Sequence, residues 1–547
     1  MIPRPSRTRR ALFTAAIFLA ACGVTGSIIG GRVAAQSATD ESTLRDSMKQ
    51  FTDVYSLVEQ NYADKMNQDQ VDKAIYDGAI PGMLHVLDPH SNFYDPKAYA
   101  QMREDQEGKY FGVGMTIQPQ GSKIVVVTPF EGTPAYKAGI RPGDVILAVD
   151  GKSTENMDSA AVASLLKGPR GTHVAVTMGR EGAPKPLVFD LTREEVNRPS
   201  VDLAFMIRPG IDYIHITQFM ETTSKDVQDA LDKFGPNVQG VLIDLRENPG
   251  GLLNEAVNTA DKFLQKGQIV VSQRGRAFPD QVYRAPQGSS LKYPIVVLVN
   301  RDTASAAEIV SGALQDHDRA LIVGETTFGK GLVQTVFPIS ENTGLALTTF
   351  HYYTPSGRLI QRNYNGISLY DYYYVRADAL PADKSNREVK LTDAGRPVYG
   401  GGGITPDEKI PELKSDHLQD NLLQHRAFFD FAIHYLSNHS VNRDLVVDDA
   451  LMKQFEDFLR AQKPPVEFTD KEIADNLDWI KMSIKAELFT SQFGQTSGEE
   501  VRADWDPQIK KALTYMPEAL ALEEHKLPSE QKTTQTASAI PTTAAHQ

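Results

Sequence analysis

Cysteine is all but missing: Cys22 is the only one in 547 residues. A single thiol excludes an internal disulfide framework and any cysteine-based metal site. The twelve histidines never form HExxH, and His85 and His90 lie five apart within a proline-containing segment, so metal catalysis has no visible basis and no cofactor is called for. An excess of positive charge is lacking too. Lysine and arginine number 57 against 70 aspartates and glutamates, a net charge of −13, which argues against nucleic acid as a partner. Long apolar runs are confined to residues 11–31.

That first stretch reads as an export signal. Arg4, Arg7, Arg9 and Arg10 precede an apolar segment from Ala11 to Ala21, the order of a positive and then a hydrophobic region. Leu19-Ala20-Ala21-Cys22 resembles a bacterial lipobox, in which Cys22 is lipidated and becomes the mature N-terminus. Apolar character continues through Ile28 and Ile29, long enough for an uncleaved anchor helix; cleavage near Ala35 is the third option. All three place the body of the chain on the periplasmic side of a bacterial envelope, the first two attached to the membrane. At the other end, 528–547 is polar and aperiodic and reads as a disordered tail.

The most informative stretch runs from Tyr293 to Gln334. Ile295 to Val299 is a buried strand by its β-branched run, and Ala306, Ile309, Val310, Ala313 and Leu314 recur at helical spacing after it. Asp302 and Thr303 are the expected N-caps of that helix. Ser305 therefore stands at a strand-to-helix junction, where unpaired N–H groups and a positive dipole end favour a developing oxyanion. A second strand, Ala320 to Val323, delivers Lys330 between Gly329 and Gly331. Gly324 to Gly331 is close to a phosphate-binding loop, but Gly331 replaces its Ser/Thr and a strand, not a helix, follows. A Ser-Lys nucleophile and base pair is the second reading. It requires burial to lower the lysine pKa. A helix cap and a solvated loop tip are the third.

Three segments, TASAAEI, GETTFGKGLVQ and DLRENPGG (Asp244 to Gly251), resemble the C-terminal processing (tail-specific) serine peptidase family, and the similarity runs from about Thr43 to Ile410. Lys330 follows Ser305 by 25 residues and Gln334 follows Lys330 by four, as in that family. The resemblance implies Ser305 as nucleophile, Lys330 as base and Gln334 as the residue orienting it. It implies an oxyanion hole from the backbone of Gly250 or Gly251 and of Ala306. Glu308 matches an acidic position in some members.

Before the core, Tyr110 to Glu195 looks like a PDZ domain. Phe111, Gly112, Val113 and Gly114 resemble its carboxylate-binding loop, a turn of N–H groups able to hold a peptide terminus. Helix 158–167 would face the groove, and a peptide would add as a strand beside 113–117. Leu87 to Tyr94 also resembles the family, and His90 there is read as structural.

The expected fold is α+β multidomain: a signal or anchor segment 1–40, a helical region 41–107, an inserted PDZ domain 108–195, an α/β, ββα spiral-like peptidase core 196–412, and a helical region 413–527 of open role before the tail. The expected function is cleavage of proteins recognised by their free C-termini. An adaptor or a second copy is a further candidate partner. The rival of another class is a catalytically silent PDZ scaffold.

Overall fold

A computed structural model describes residues 41–235, 237–289, 291–375 and 388–524. The export segment with Cys22, and the tail 528–547, lie outside the described residues. The chain divides into two compact units, Met1–Gly82 and Met83–Gln547. In the first, helix Glu41–Asn61 leads to helix Gln68–Lys73, which Asn67 and Gln70 open with a reciprocal capping box. The longer helix carries Phe51, Val54, Leu57 and Val58 at helical spacing, and all four are exposed, Val54 and Leu57 each at 60%. Among the described residues no helix is long and apolar enough to cross a membrane.

The second unit is α+β and multidomain, as the sequence indicates. Its centre is a six-stranded sheet in the order Val201–Arg208, Ile211–Ile216, Gly240–Asp244, Ile295–Val299, Leu321–Gly324, Glu408–Lys409. The first pair is antiparallel and every later pair is parallel. Both middle strands, Gly240–Asp244 and Ile295–Val299, are buried along their whole length. Their near-continuous apolar runs are what a parallel sheet covered on both faces selects. Helix Ala306–Asp316, buried at every position, packs on one face with Val241, Ile243, Val297 and Val257. The opposite face, with Leu242, Leu298 and Leu321, is closed by Ala503, Ile509, Ala512 and Met516 from the last helices. A second sheet joins Leu332–Pro338, Gly344–Tyr353, Ile269–Arg274, Gln281–Arg284 and Asn92–Tyr94.

The PDZ portion is a separate sheet built on its own core of Val113, Ile124, Val126, Ile146, Val176 and neighbours. Chain entry and exit are tied together by an antiparallel ribbon of Lys109–Gly112 with Glu194–Asn197. Strand Met115–Gln120 stands at the sheet edge, with helix Ser159–Leu166 beside it.

Candidate active site

Parallel strands deliver their following loops to one edge of the sheet, and three such loops meet here. The turn after Gly240–Asp244 carries Leu245 to Gly251, and the turn after Ile295–Val299 carries Asn300 to Ser305. Thr303 Oγ donates to the Leu245 carbonyl at 2.7 Å, and Ala304 N–H to the Asn248 carbonyl at 2.9 Å. The fully buried Asn248 binds inward as well: its amide donates to Ile216 O at 2.7 Å and its Oδ1 accepts from Gly250 N–H at 2.9 Å. Thr303 is thus a cross-link between loops. Ser305, three residues after Asp302, is the residue that caps helix Ala306–Asp316. The helix starts after Ser305 and not after the expected caps; Thr303 Oγ accepts instead from Asn300 N–H at 2.9 Å.

Ser305 has φ +53°, a region costly for a residue with a Cβ. It is held there by Glu308 one turn on. Glu308 Oε2 accepts from Ser305 N–H at 2.9 Å and from Lys330 N–H at 2.8 Å. Its Oε1 accepts from Gly329 N–H at 2.7 Å and from the Thr327 hydroxyl. One carboxylate oxygen therefore serves the backbones of both Ser305 and Lys330 and holds them as close neighbours. Burial raises the Glu308 pKa, and Thr327, Lys330, Gly329 and Ser305 pull against it as donors.

Lys330 has its pKa lowered by burial, opposed by the charges of Glu308 and Asp88. Among the described residues no hydrogen bond joins its amine to Ser305 Oγ. Gln334 sits opposite Thr348 on the neighbouring strand, past a register shift after Val333, and donates its amide to Thr348 Oγ at 3.1 Å. Backbone and loop thus bring Ser305, Lys330 and Glu308 together, with Gln334 turned to Thr348.

Gly250 runs against the serine turn: a Cβ on it would stand 2.6 Å from Ser305 Cβ and 2.8 Å from Ala306 N. Its own N–H is taken by Asn248. The N–H groups of Gly251 and Ala306 have no acceptor among the described residues. Beside Gly251 a cleft of about 720 Å³ opens, lined by Leu252, Tyr283, Val333, Thr335 and Phe350 among others.

In the PDZ portion Phe111 is exposed and Gly112 and Val113 are buried. Gly114 has φ +80° and lies so close to Thr133 that a Cβ would meet its side chain at 2.4 Å. Its carbonyl accepts from Thr133 Oγ at 2.9 Å, and the N–H groups of Val113 and Gly114 have no acceptor among the described residues.

The match of residues 210–368 to Peptidase family S41 covers the four inner strands of the sheet, from Ile211 to Gly324, and all three loops. Residues 125–179 match a PDZ domain, and residues 27–98 the Activating protease CtpB N-terminal domain. Over 358 residues the chain is 39% identical to the carboxy-terminal-processing protease of Bartonella bacilliformis, covering 64% of this chain and 79% of that one. The chain belongs to the carboxy-terminal-processing protease family. Carboxy-terminal processing protease CtpA of Bacillus subtilis is 33% identical over 323 residues, 59% of this chain and 68% of that protein. Among solved structures, the photosystem II D1 C-terminal processing protease is 32% identical with a TM-score of 0.34, over 66% of this chain and 92% of that one. This family member is a serine protease with a PDZ domain.

Some parts of this site had no sequence signal. Thr327, Asn248 and Thr303 are polar residues in turns, a context in which a solvated side chain and a cross-link look alike. Glu308 is visible only as an acid one helical turn after the serine; that it also binds the N–H groups of Gly329 and Lys330 comes from a chain segment more than twenty residues away.

Proposed function

We propose that this protein is an extracytoplasmic endopeptidase that captures substrate C-termini on its PDZ module and cleaves with Ser305 as nucleophile and Lys330 as base. The single observation supporting this most is the Glu308 oxygen shared by the Ser305 and Lys330 backbones. It holds the two backbones against a single oxygen, so that amine and hydroxyl are carried by neighbouring segments of main chain. In the bound state Lys330, uncharged, accepts the Ser305 proton as Oγ adds to the scissile carbonyl. The oxyanion rests on the N–H groups of Gly251 and Ala306. Lys330 then returns the proton to the leaving amine, and water, activated in the same way, releases the acyl group. Gln334 orients the amine once it leaves Thr348. Substrate passes through the cleft beside Gly251 and its free carboxylate is held at Phe111, Gly112, Val113 and Gly114, with the tail adding to strand Met115–Gln120.

Ser305→Ala and Lys330→Ala are each expected to abolish cleavage of an unfolded model protein while binding persists, read by gel assay and fluorescence anisotropy. Full turnover in Lys330→Ala would show that another group is the base. The scaffold reading predicts no labelling of Ser305 by a serine-directed fluorophosphonate, whereas the peptidase reading predicts stoichiometric labelling. The export reading, with Cys22 lipidated, with an uncleaved anchor, or with cleavage near Ala35, is separated into its three forms by the intact mass of the processed protein.

A further inference from the structure

The Leu87 to Tyr94 segment, read from sequence as structural, ends beside Lys330. Asp88 organises its turn, accepting from His90 N–H at 2.7 Å and from the N–H and hydroxyl of Ser91 at 2.8 and 2.7 Å. The His90 ring then projects to helix Leu369–Tyr374, where Nε2 lies 2.8 Å from the Tyr372 hydroxyl. That hydroxyl accepts from Gln361 Nε2 at 3.2 Å, and Gln361 Oε1 accepts from the N–H of Gly331 at 2.7 Å. A continuous polar chain therefore runs from His90 to the peptide bond following Lys330. Tyr372 accepts from Gln361, which leaves its own proton free to be donated to Nε2.

The same groups form a wall. Phe328, two residues before Lys330, makes an edge contact with Tyr372 at 5.5 Å and stacks on Tyr373 at 6.2 Å. His90 meets Tyr372 and Tyr373 edge-on at 5.5 and 6.1 Å. The Tyr373 hydroxyl donates to Pro89 O at 2.7 Å, and Arg362 lies over the Phe328 and Tyr372 rings.

We propose that His90 is a positioning residue for Lys330: through Tyr372 and Gln361 it anchors the lysine loop, and with Phe328, Tyr372 and Tyr373 it walls the amine off from water. Burial, then the Lys330 charge, push the His90 pKa down to about 3, so the imidazole stays neutral over the working pH range and adds no charge beside the base. The inference rests on the reading of Lys330 as base. The ionisable groups facing this corner are Asp88, Glu308, Lys330, Arg362, Tyr364, Tyr372 and Tyr373.

The test uses the full-length protein with a fluorogenic unfolded protein substrate. Tyr372→Phe keeps the ring and removes the link between His90 and Gln361; His90→Leu removes it from the other end. Both are expected to lower kcat about ten- to hundredfold, the scale of a misplaced catalytic group, with KM within about twofold. Both should also move the acidic limb of kcat/KM to higher pH, because a better-hydrated amine holds its proton longer. His90→Gln, whose amide can still meet Tyr372, should recover part of the rate. Melting temperature reports the fold, and Tyr372→Phe decides alone if His90→Leu does not fold. An unmoved acidic limb, or wild-type kcat in Tyr372→Phe, overturns the proposal. If Lys330→Ala is inert while Tyr372→Phe behaves as wild type, only the His90 role is lost; if Lys330→Ala turns over, the base assignment itself is lost.

Discussion

At Glu308 a fully buried carboxylate collects three backbone N–H groups and a hydroxyl. Replacing one of its oxygens with an NH2 would set donor against donor. Glu308→Gln is therefore expected to cost about 2–4 kcal/mol of stability, the scale of one or two charge-assisted bonds lost, and to take most activity with it. Thermal melts alongside cleavage rates check this; an unchanged melt would mean that the clamp is not formed. Lys330 offers a complementary test. Its folded pKa lies below the ordinary 10.5. Below that folded value both states carry the proton, and the full cost of the buried ammonium bears on the fold. Between the two values the unfolded chain alone stays protonated, so stability rises with pH until the cost is gone. Lys330→Met should thus melt above wild type at neutral pH, with the gap closing toward pH 10.5. A gap that does not change with pH would show that the ammonium is not desolvated.

At the scale of elements, the strand-end loops are held to each other more than to their own strands. Gly250 shows how little room they leave. With φ +97° and a built Cβ only 2.7 Å from the Ala304 carbonyl, Gly250→Ala should cost about 1–3 kcal/mol by overpacking and abolish serine labelling. Wild-type labelling of that variant would refute the close approach. Most of these elements were legible in the chain. The apolar run from Ile295 to Val299 and the helical spacing after Ser305 gave both elements within a residue, since burial on both faces leaves no polar position to blur the pattern. The helix cap was misread at Asp302 and Thr303, because which side chain caps depends on its competing partners: Thr303 Oγ accepts from Asn300 N–H and donates to Leu245 O, nearly sixty residues earlier.

At the scale of the molecule, the carboxy-terminal helices have a role the sequence left open. They close the second face of the parallel sheet, and Arg246, at the end of the strand leading to Gly251, bonds Asp244 at 2.7 Å together with Asp506 and Gln508 of that region at 2.8 and 2.7 Å. The same region meets the PDZ portion, where Gly143 lies against Ile433 and His434 is 3.3 Å from Glu181. Removing residues 495–547 would uncover Leu242, Leu298 and Leu321, which are 5% exposed or less. Such a truncation is expected to give no soluble, cooperatively melting protein, checked by expression and calorimetry; a soluble variant with a wild-type melt would show that the sheet does not depend on this cover.

Strand and helix identity, the family and the PDZ insertion could all be read along the chain, because periodicity and short motifs are local properties of sequence. The Glu308 clamp, the approach of Gly250 to the Ser305 turn, the chain from His90 to Gly331 and the cover supplied by the last helices exist only once distant segments meet. A hydrogen bond or a buried face is a relation between positions that folding makes adjacent, and nothing in the spacing of residues encodes which donor will find which acceptor.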